Sequence, residues 1–550
     1  MTSRYDFVIV GAGSAGCVLA SRLTEDPSVR VALLEAGPPD HRLDWRLHMP
    51  AALAWPLMGT RYNWAYETEP EPGMNDRRMY CPRGRVIGGS SSINGMVYIR
   101  GNPRDYDSWA TRPGLDAWSY AHCLPYFRRA ETRVKGSDDY RGEDGPLRVS
   151  TGQCQNPLFQ AFINAGQQAG FPYTSDINGY CQEGVGPFDM TVWRGRRWSA
   201  ASAYLRPAAG RSNLTVHART TVEGLRWDEQ GRRITGVIAR QGRRQIDLQA
   251  GEVIVCAGAI NSPQLLQASG IGDPAHLEPL GIPTRVSLPG VGRNLQDHLE
   301  AYVQTECLLP VSLFPALRPF NQLKLGLRWL VARDGIGASN QFEAGGFTKS
   351  DPEVDYPNVQ YHFLPVAMNY DGSKRAPGHG YQLHVGPMRS SARGAVRIRS
   401  ADLGKPPAIQ FNYLTGERDE KEWIDSIRQA RRILAQEAFT PYRGPELAPG
   451  AHVETDEAIL DFVRTHAESA YHPSCTCAMG TDEPSVTGPD HRVHGVRGLR
   501  VIDASVMPEI VTGNLNAPTI MIAEKAADTL RGATPLPPSS VPYHGQQTTA

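Results

Sequence analysis

The chain has 550 residues, with 57 lysines and arginines against 57 aspartates and glutamates, so its formal net charge is zero. This balance excludes the strongly basic surface of a nucleic-acid-binding protein. Hydrophobic residues at 40% and charged residues at 21% are typical of a globular protein, and the length predicts two domains.

Cysteine spacing and the lack of long apolar runs limit the class further. The nine cysteines are scattered, and Cys475-x-Cys477 has no second pair, so we predict neither a metal site nor a disulfide framework. No secretory signal precedes the first predicted strand, and no apolar run approaches the ~20 residues of a spanning helix. We expect a cytoplasmic protein with reduced thiols.

The first chemical signal is the segment DFVIVGAGSAG at residues 6–16. Phe7–Val10 is apolar and β-branched, which predicts a buried parallel strand. It runs directly into Gly11-x-Gly13-x-x-Gly16, where the three glycines permit a tight turn, close approach of a pyrophosphate and packing of the next helix. Such a helix would present its positive end to a diphosphate.

The residues after this turn complete a βαβ unit. Residues 17–25 are predicted to be helical, and Val29–Leu34 is a second apolar strand. It ends in Glu35, 19 residues after Gly16, where a carboxylate accepts hydrogen bonds from ribose hydroxyls. We therefore predict a dinucleotide site, with a purely structural glycine turn as the alternative.

A second glycine-rich loop lies in GRVIGGSSSINGMVYIRGNPRDYD at residues 84–107. Gly88, Gly89 and the three following serines could press backbone amides onto a ring or phosphate, and Asn94 adds an amide. An ordinary turn is the alternative. Further along, GAINSPQLLQASGIG (258–272) and PGVGRNLQDH (289–298) are two more glycine-rich segments.

The rest of the chain alternates between segments with strand patterns and segments with helix patterns. Residues 214–257 predict a β meander, residues 300–460 contain β-like runs and one amphipathic helix near 417–436, and Leu499–Ile502 and Thr519–Arg531 return to strand and helix. The tail from Ala533 is rich in Pro, Ser, Gln and Thr, and we expect it to be disordered. A nucleotide domain interrupted by a β-rich lobe and completed by the C-terminal part accounts for this order.

Together these segments resemble the glucose–methanol–choline (GMC) family of FAD-dependent oxidoreductases. The resemblance rests on GAGSAG with Glu35, on GGSSSIN, on GAINSPQLLQASGIG and on residues 499–530, and it spans nearly the whole chain. Five further stretches look most like bacterial members that oxidise choline: 49–57, 61–72, 338–347, 358–370 and 513–525.

The resemblance implies a fold of mixed α/β and α+β class, with a Rossmann-like FAD-binding domain and a discontinuous β-rich substrate-binding domain. The implied FAD-binding segments are 1–155, 200–305 and 463–535, the substrate-binding segments are 156–199 and 306–462, and 536–550 is the disordered tail. It implies that FAD contacts Gly11, Gly13, Ser14, Ala15, Gly16, Glu35, Gly88, Gly89, Ser90, Asn94, Gly95, Asp503 and Ala504.

The resemblance also bears on how FAD is held. Some relatives attach the flavin covalently through a histidine in the loop after the paired glycines. The corresponding position here is Ile93, which cannot form such a bond. We therefore expect non-covalent FAD.

The resemblance implies a catalytic pair, His472 in AYHPSCTCAMG and Asn516 in TGNLNAP. Imidazole is suited to removing an alcohol proton near neutral pH, while the carbinol hydride passes to flavin N5. Asn516, where relatives place a histidine, could hold the alcohol oxygen. Without the resemblance, a structural histidine would be the usual interpretation of His472.

The implied substrate is choline, oxidised to betaine aldehyde and on to glycine betaine through the hydrated aldehyde. Its quaternary ammonium has no N–H to donate, so a site must offer a carboxylate and aromatic faces. Glu343, Tyr471 and Trp64 are the predicted candidates, each with an ordinary structural role as the alternative. His379 is predicted to help position the substrate, whereas His362 and His384 fit strand faces.

Three rival functions remain at this stage: a family enzyme for another aliphatic or aromatic primary alcohol, a hydroxynitrile lyase with structural FAD, and a flavin-binding protein without catalysis. The resemblance favours a respiratory quinone or an artificial dye over oxygen as the electron acceptor. The sequence leaves open peripheral attachment to the inner face of the cell membrane, and it gives no oligomeric state.

Overall fold

The computed structural model describes residues 4–368 and 378–546. Its first sheet has seven strands, and its central strands are parallel. In spatial order they are Leu214–Ala218, Val31–Glu35, Arg4–Val10, Arg244–Val255, Ile234–Gln241 and Thr220–Trp227, with Leu499–Val501 beside Arg244–Val255.

The second sheet is antiparallel and also has seven strands. Its order is Arg443–Ala448, Leu299–Cys307, Gly380–Pro387, Val359–Leu364, Ala344–Thr348 and Gly184–Pro187, with Glu468–Ser469 beside Leu299–Cys307. The domain boundary expected at 305 thus falls inside a strand of this sheet. The two sheets give the mixed architecture that the sequence predicted.

Smaller sheets and helices surround these two. Three sheets have two strands each: Tyr66–Glu67 with Tyr80–Cys81, Val192–Trp193 with Arg196–Arg197, and Ile271–Gly272 with Val286–Ser287. Two sheets have three strands each: Glu131–Arg133, Leu147–Thr151 and Asp189–Met190 in one, and Arg293–Leu295, Gly394–Arg397 and Ala408–Gln410 in the other. The α-helices are Ser14–Leu23, Trp45–His48, Pro103–Ala110, Tyr120–Ala130, Pro157–Gln168, Arg206–Ala208, Gly258–Ala268, Pro274–Leu277, Pro319–Ala332, Asp419–Leu434, Asp456–His466 and Asn516–Arg531.

The N- and C-terminal parts of the chain are joined through a buried carboxylate. Helix Ser14–Leu23 packs on helix Asn516–Arg531. Between them Glu524, which is fully buried, accepts hydrogen bonds from Arg22 at 2.9 Å, from Arg129 at 2.9 Å and from the Tyr204 hydroxyl at 2.8 Å. A buried charge held by three donors is stable only when all of them are present, so these distant segments form one unit.

The alternation of side chains along each strand determines which residues lie on each face of the second sheet. Leu299, Ala301 and Val303 lie in one apolar cluster with helices Pro157–Gln168 and Asp419–Leu434. Because successive strand residues point to opposite faces, Glu300 and Tyr302 lie on the other face. That face turns toward the first sheet, and a cavity lies between them.

The C-terminal tail differs from the expected disorder, which is wrong for residues 536–546. The Leu536 N–H donates to the Tyr126 hydroxyl at 3.0 Å, and the Ser539 N–H donates to the Ala121 carbonyl at 2.8 Å. Tyr543 is buried and donates to Asp107. Composition alone misses this segment, because its few apolar side chains are anchored by tertiary contacts. Residues 547–550 lie outside the described residues.

Within the two described ranges, no helix is both long enough and apolar enough to cross a membrane.

Removing residues 534–550 is expected to lower the melting temperature by about 2–5 °C, because it exposes the surface that Leu536 and Tyr543 cover. Differential scanning fluorimetry checks this, with removal of 547–550 alone as the control. Equal melting temperatures for the full chain and the longer truncation would contradict the packed tail.

Candidate active site

A long cavity runs from the carboxyl ends of the parallel strands to the inner face of the second sheet. At its first end lie Gly13, Ser14 and Ala15, where the first helix begins. At its far end lie polar and aromatic side chains from both halves of the chain: Glu300, Phe342, His362, His384, Tyr471, His472 and Asn514.

The three glycines of the first turn have different surroundings. Gly11 has a φ of +102°, and a Cβ there would lie 2.5 Å from the Cys256 carbonyl oxygen. A Cβ on Gly16 would lie 1.9 Å from the Gly11 carbonyl oxygen, so Gly16 serves helix packing and lies behind the lining. A Cβ on Gly13 would meet no protein atom within 3.9 Å. Gly13 therefore leaves open space for a ligand, as the motif predicts.

Glu35 ends the second parallel strand and lines the cavity. Its Oε2 accepts from the Ala12 N–H at 3.1 Å and its Oε1 from the Gly37 N–H at 2.8 Å. Burial raises the pKa of Glu35 to about 7, despite these hydrogen bonds. The carboxylate is thus held in place at the position where a ribose would lie.

The second glycine loop presses against the first turn. Gly89 has a φ of +54°, and a Cβ there would lie 2.6 Å from the Gly13 Cα. Gly89, Ser90 and Gly95 line the cavity, whereas Gly88 lies behind it, where a Cβ would meet the Ser92 Oγ at 2.1 Å. A side chain at Gly89 would separate the two loops, whereas one at Gly88 would clash with Ser92 of its own loop.

Two other residues of this loop face the cavity. The Asn94 Oδ1 accepts from the Met96 N–H at 3.1 Å and from Arg197 at 2.8 Å, so its orientation is fixed by the protein. Ile93 is buried and also lines the cavity. Its aliphatic side chain offers no atom for a covalent link.

Asp503 connects the last parallel strand to the GAINS segment. Its Oδ2 accepts from the Gly258 N–H at 2.8 Å and from the Ser262 hydroxyl at 2.6 Å, and its Oδ1 accepts from the Ser505 N–H at 2.8 Å. Asp503 and Ala504 both line the cavity. The carboxylate therefore holds the start of helix Gly258–Ala268 against it.

His472 stands at the centre of a directed hydrogen-bond chain. Its Nδ1 lies 3.1 Å from the Nδ1 of His298, whose Nε2 lies 3.0 Å from the Met388 carbonyl oxygen. A carbonyl only accepts, so His298 carries its proton on Nε2 and accepts at Nδ1. His472 then carries its proton on Nδ1, and its Nε2 has a lone pair that can accept a hydrogen bond.

The lone pair of His472 faces an amide. The Asn514 Nδ2 lies 3.1 Å from the His472 Nε2, and the Asn514 Oδ1 accepts from the Gln360 side chain at 3.1 Å. Burial, together with the nearby His298, lowers the pKa of His472 well below its usual value. The imidazole is therefore neutral and can accept a proton.

Asp297 holds the backbone at this histidine. Its Oδ1 accepts from the His472 N–H at 2.6 Å, and its Oδ2 accepts from the Tyr413 hydroxyl at 2.5 Å. Burial raises the pKa of Asp297 to about 6. Neither Asp297 nor His298 carried any signal in the sequence beyond the segment PGVGRNLQDH.

The amide beside His472 is Asn514 and not Asn516, which corrects the pairing that the sequence suggested. Asn516 is the first residue of the last helix, and its Oδ1 accepts from the Ser14 hydroxyl at 2.8 Å. It lines the cavity near the first turn. The segment GNLNAP contains both asparagines, and only the exact start of the helix distinguishes them.

The carboxylate at the far end is Glu300, and this corrects the prediction for Glu343. The Glu343 Oε2 accepts from the Cys154 N–H at 2.6 Å, its Oε1 accepts from the Ser339 hydroxyl, and it does not line the cavity. Phe342, one residue earlier, faces the cavity instead. Because neighbouring side chains point in opposite directions here, Glu343 points away from the cavity.

Glu300 is 8% exposed and lies in a polar cluster. Its Oε1 lies 3.2 Å from the His384 Nδ1 and accepts from the Tyr302 hydroxyl at 3.3 Å. Burial acts to raise the pKa of Glu300, but the charge that His384 carries when it is protonated and the hydrogen bond that it donates outweigh burial and bring the pKa below its usual value. The group is ionised, with one oxygen not engaged in these contacts.

The histidines at this end of the cavity are not the one that the sequence suggested. His379 does not line the cavity; its Nδ1 lies 2.8 Å from the Ser312 hydroxyl and its ring 5.5 Å from that of Phe314. His362 and His384, which fitted strand faces, do line it. They do occupy strand faces, but the face is the one turned toward the first sheet.

Tyr471 and Trp64 line the cavity, as predicted. Tyr471 has a φ of +64° and lies directly beside His472. The Trp64 ring stacks on Tyr66 at 5.9 Å, and the Arg85 guanidinium lies 4.8 Å from its centre. A cation of the protein therefore already covers the face of Trp64, which makes this ring poorly suited to a cationic ligand.

Comparisons with known proteins agree with this geometry. The family described as GMC oxidoreductase matches residues 5–300 and 390–523. The chain is 58% identical to an oxygen-dependent choline dehydrogenase of Pectobacterium carotovorum, over 98% of this chain and 97% of that protein. It is 57% identical to one of Pseudomonas syringae, over 98% of this chain and 96% of that protein.

Solved structures show the same architecture. Pyridoxine 4-oxidase from Mesorbium loti is 31% identical with a TM-score of 0.87, covering 96% of this chain and 100% of that one. Formate oxidase is 25% identical with a TM-score of 0.90, covering 96% of this chain and 98% of that one. The resemblance found in the sequence is confirmed, and the chain belongs to the GMC oxidoreductase family.

Proposed function

We propose that this protein binds FAD without a covalent bond and oxidises choline to betaine aldehyde. The observation that carries the proposal is the far end of the cavity, where a neutral histidine with a directed lone pair and an ionised, buried carboxylate line one space. Relatives at 57–58% identity over nearly their whole length are oxygen-dependent choline dehydrogenases, which supports this choice of substrate.

The residues around the first glycine turn, here called the cradle (Gly13, Ser14, Glu35 and Gly89), fit FAD. Gly13 leaves room for the diphosphate, the first helix begins there, and Glu35 stands where a ribose hydroxyl would donate. Ile93 supports non-covalent binding. When bound, FAD supplies the hydride acceptor for the oxidation.

The proton of the alcohol is taken by His472. The Met388 carbonyl fixes the proton of His298 on Nε2, and the His298 Nδ1 in turn fixes the proton of His472 on Nδ1. The His472 Nε2 is therefore unprotonated. Asn514 donates from Nδ2 beside that atom and can hold the alcohol oxygen as the proton leaves. After the transfer the Nδ1–H of His472 still donates to His298, so no further proton moves.

The trimethylammonium group of choline is bound by Glu300. A quaternary ammonium donates no hydrogen bond, so a full negative charge and aromatic faces are what can hold it. Phe342 and Tyr471 offer such faces, each worth roughly 0.5–2 kcal/mol. The same site would accept hydrated betaine aldehyde, whose carbinol carbon and cation are arranged as in choline, and convert it to glycine betaine.

Exchange of Gly89 for alanine is expected to abolish FAD binding, because the new Cβ would lie 2.6 Å from the Gly13 Cα. The ratio of flavin to protein absorbance measures this. Gly210→Ala is the control, since a Cβ there meets nothing within 4 Å. Normal flavin content in Gly89→Ala would contradict the proposal that FAD binds where Gly89 packs on Gly13.

Exchange of His472 for alanine is expected to lower kcat by at least about 100-fold while FAD stays bound, because the general base is lost. Asn514→Ala should also lower kcat, and by more than Asn516→Ala. Steady-state assays with an artificial acceptor compare the three. A larger loss in Asn516→Ala than in Asn514→Ala would contradict the assignment.

Exchange of Glu300 for glutamine is expected to lower kcat/KM for choline at least about tenfold relative to 3,3-dimethyl-1-butanol, a neutral molecule of the same shape. The matched control is Glu343→Gln, which should keep the ratio because Glu343 faces away. If the ratio falls in the control and not in Glu300→Gln, the cation site is misassigned.

We also propose that the protein attaches peripherally to the inner face of the cell membrane and passes electrons to a quinone there. Helix Pro319–Ala332 supports this. Its side chains Phe320, Leu323, Leu327 and Val331 are 67%, 60%, 54% and 88% exposed, on one face. Trp329, on the opposite side, is buried and donates to the Gly195 carbonyl at 2.6 Å.

The charges beside this apolar face suit an anionic bilayer. Arg318, Lys324, Arg328 and Arg333 lie on or next to the helix, and residues 314–333 contain no acidic side chain, although Arg328 pairs with Asp334 at 2.7 Å just after them. An apolar face bordered by cations is the pattern of a helix lying in a lipid interface. Assays with oxygen or a soluble quinone as sole acceptor test the acceptor separately.

The protein is expected to sediment with phosphatidylglycerol vesicles and much less with phosphatidylcholine vesicles. The double variant Leu323→Glu and Leu327→Glu should stay in the supernatant, because two charges enter the apolar face. Val216→Glu, an exposed apolar position in the first sheet, is the control. Equal sedimentation of all three proteins would refute the assigned surface.

A further inference from the structure

His384 contacts the proposed cation site through one ring nitrogen and a glutamine through the other. Its Nδ1 lies 3.2 Å from the Glu300 Oε1, and its Nε2 lies 2.6 Å from the Gln382 Nε2. Gln382 precedes His384 by two positions on strand Gly380–Pro387, so both side chains lie on the same face. The proton on His384 therefore depends on which end of the Gln382 amide faces it.

The orientation of that amide is fixed from behind. The Gln382 Oε1 accepts from the Met368 backbone N–H at 2.8 Å and from the Gln304 Nε2 at 2.9 Å. A backbone N–H can only donate, so the oxygen must face Met368 and the NH₂ group must face His384. The His384 Nε2 then accepts, and its single proton lies on Nδ1, directed at Glu300.

We infer that Gln382 is a positioning residue that keeps His384 neutral, so that Glu300 retains its full negative charge for the quaternary ammonium of the substrate. The inference rests on the proposed function, since it concerns the same cation site. An imidazolium at His384 would lie against Glu300 and cancel that charge locally.

Charging His384 would also cost hydrogen bonds. Its Nε2–H would meet the amide N–H groups of Gln382, and rotating the amide would break the bonds to Met368 and Gln304. Each buried donor left without an acceptor loses its hydration and gains no hydrogen bond in exchange. The Gln382 amide, held by Met368 and Gln304, therefore presents donors and no acceptor to the His384 Nε2.

The other titratable groups around His384 carry no charge. The Tyr302 ring lies 4.1 Å away, and burial raises its pKa well above the usual value. The His362 ring lies 6.4 Å away, and burial lowers its pKa to about 4. Among the described residues in contact with His384, Glu300 alone is ionised.

The neighbouring strand repeats the arrangement. Gln360 precedes His362 by two positions, and the Gln360 Nε2 lies 3.1 Å from the His362 Nε2. The Gln360 Nε2 also donates to the Asn514 Oδ1. His362 and His384 are opposite each other in the sheet. Two Gln-x-His pairs thus keep the cavity wall free of cations beside Glu300.

The test is Gln382→Glu in the FAD-loaded enzyme. A carboxylate keeps the acceptor for Met368 but places an acceptor against the His384 Nε2, so His384 becomes an imidazolium. The measured quantity is kcat/KM for choline divided by kcat/KM for 3,3-dimethyl-1-butanol. We expect this ratio to fall at least about tenfold in Gln382→Glu, and to return toward the wild-type value in Gln382→Glu/His384→Gln, where residue 384 cannot be charged.

Two comparisons separate the possible failures. If Glu300→Gln lowers the ratio and Gln382→Glu does not, the inference is overturned while the cation site stands. If Glu300→Gln leaves the ratio unchanged, the cation site fails, and the inference fails with it. A fall in Gln382→Glu that the second substitution does not reverse also overturns the inference, because it would not act through His384.

His384→Gln alone covers the case in which Gln382→Glu does not fold. A neutral side chain replaces a neutral one, so the ratio should stay within about threefold of the wild-type value. A rise of about tenfold or more would show that His384 carries a positive charge in the wild-type enzyme, which would refute the inference.

Discussion

The hydrogen bond from the His298 Nε2–H to the Met388 carbonyl determines the chemistry of the whole site. It is the one contact in the histidine chain whose direction is unambiguous, because a carbonyl cannot donate. From it follow the proton on the His472 Nδ1 and the lone pair on the His472 Nε2. Burial then keeps this imidazole neutral. A proton acceptor is thus prepared by the protein before any substrate arrives.

The same logic applies to the cation site. An amide whose oxygen is held by the Met368 N–H directs the single proton of His384 to Glu300. In both His472 and His384, the nitrogen that carries the proton is determined by backbone groups that lie at a distance from the reacting atoms. The second sheet makes this arrangement possible, since strand alternation brings Glu300, His362 and His384 to one face, opposite the cradle of glycines.

Local motifs explain which parts could be predicted from the sequence. The first βαβ unit is encoded within residues 6–35, and its strands, turn and acidic residue lie where the motif indicates. The amphipathic pattern near 417–436 likewise corresponds to helix Asp419–Leu434. The family resemblance, which joins several such motifs, predicted the architecture and the position of His472.

Side-chain direction across the sheets could not be predicted. Glu343 and Glu300 are both acidic residues next to apolar strand residues, and only the register of the second sheet turns one outward and the other into the cavity. Asn514 and Asn516 differ by where a helix begins. The tail from 536 to 546 is anchored by tertiary contacts of Leu536 and Tyr543, which composition does not reveal.

Whether choline reduces a bound flavin can be measured by anaerobic titration of the purified yellow protein, followed at the long-wavelength flavin absorbance band. Choline is expected to bleach the flavin, and the neutral isostere 3,3-dimethyl-1-butanol is expected to do so only at much higher concentration. A flavin that stays yellow with choline, or a protein that is colourless and does not take up added FAD, would contradict the proposed function.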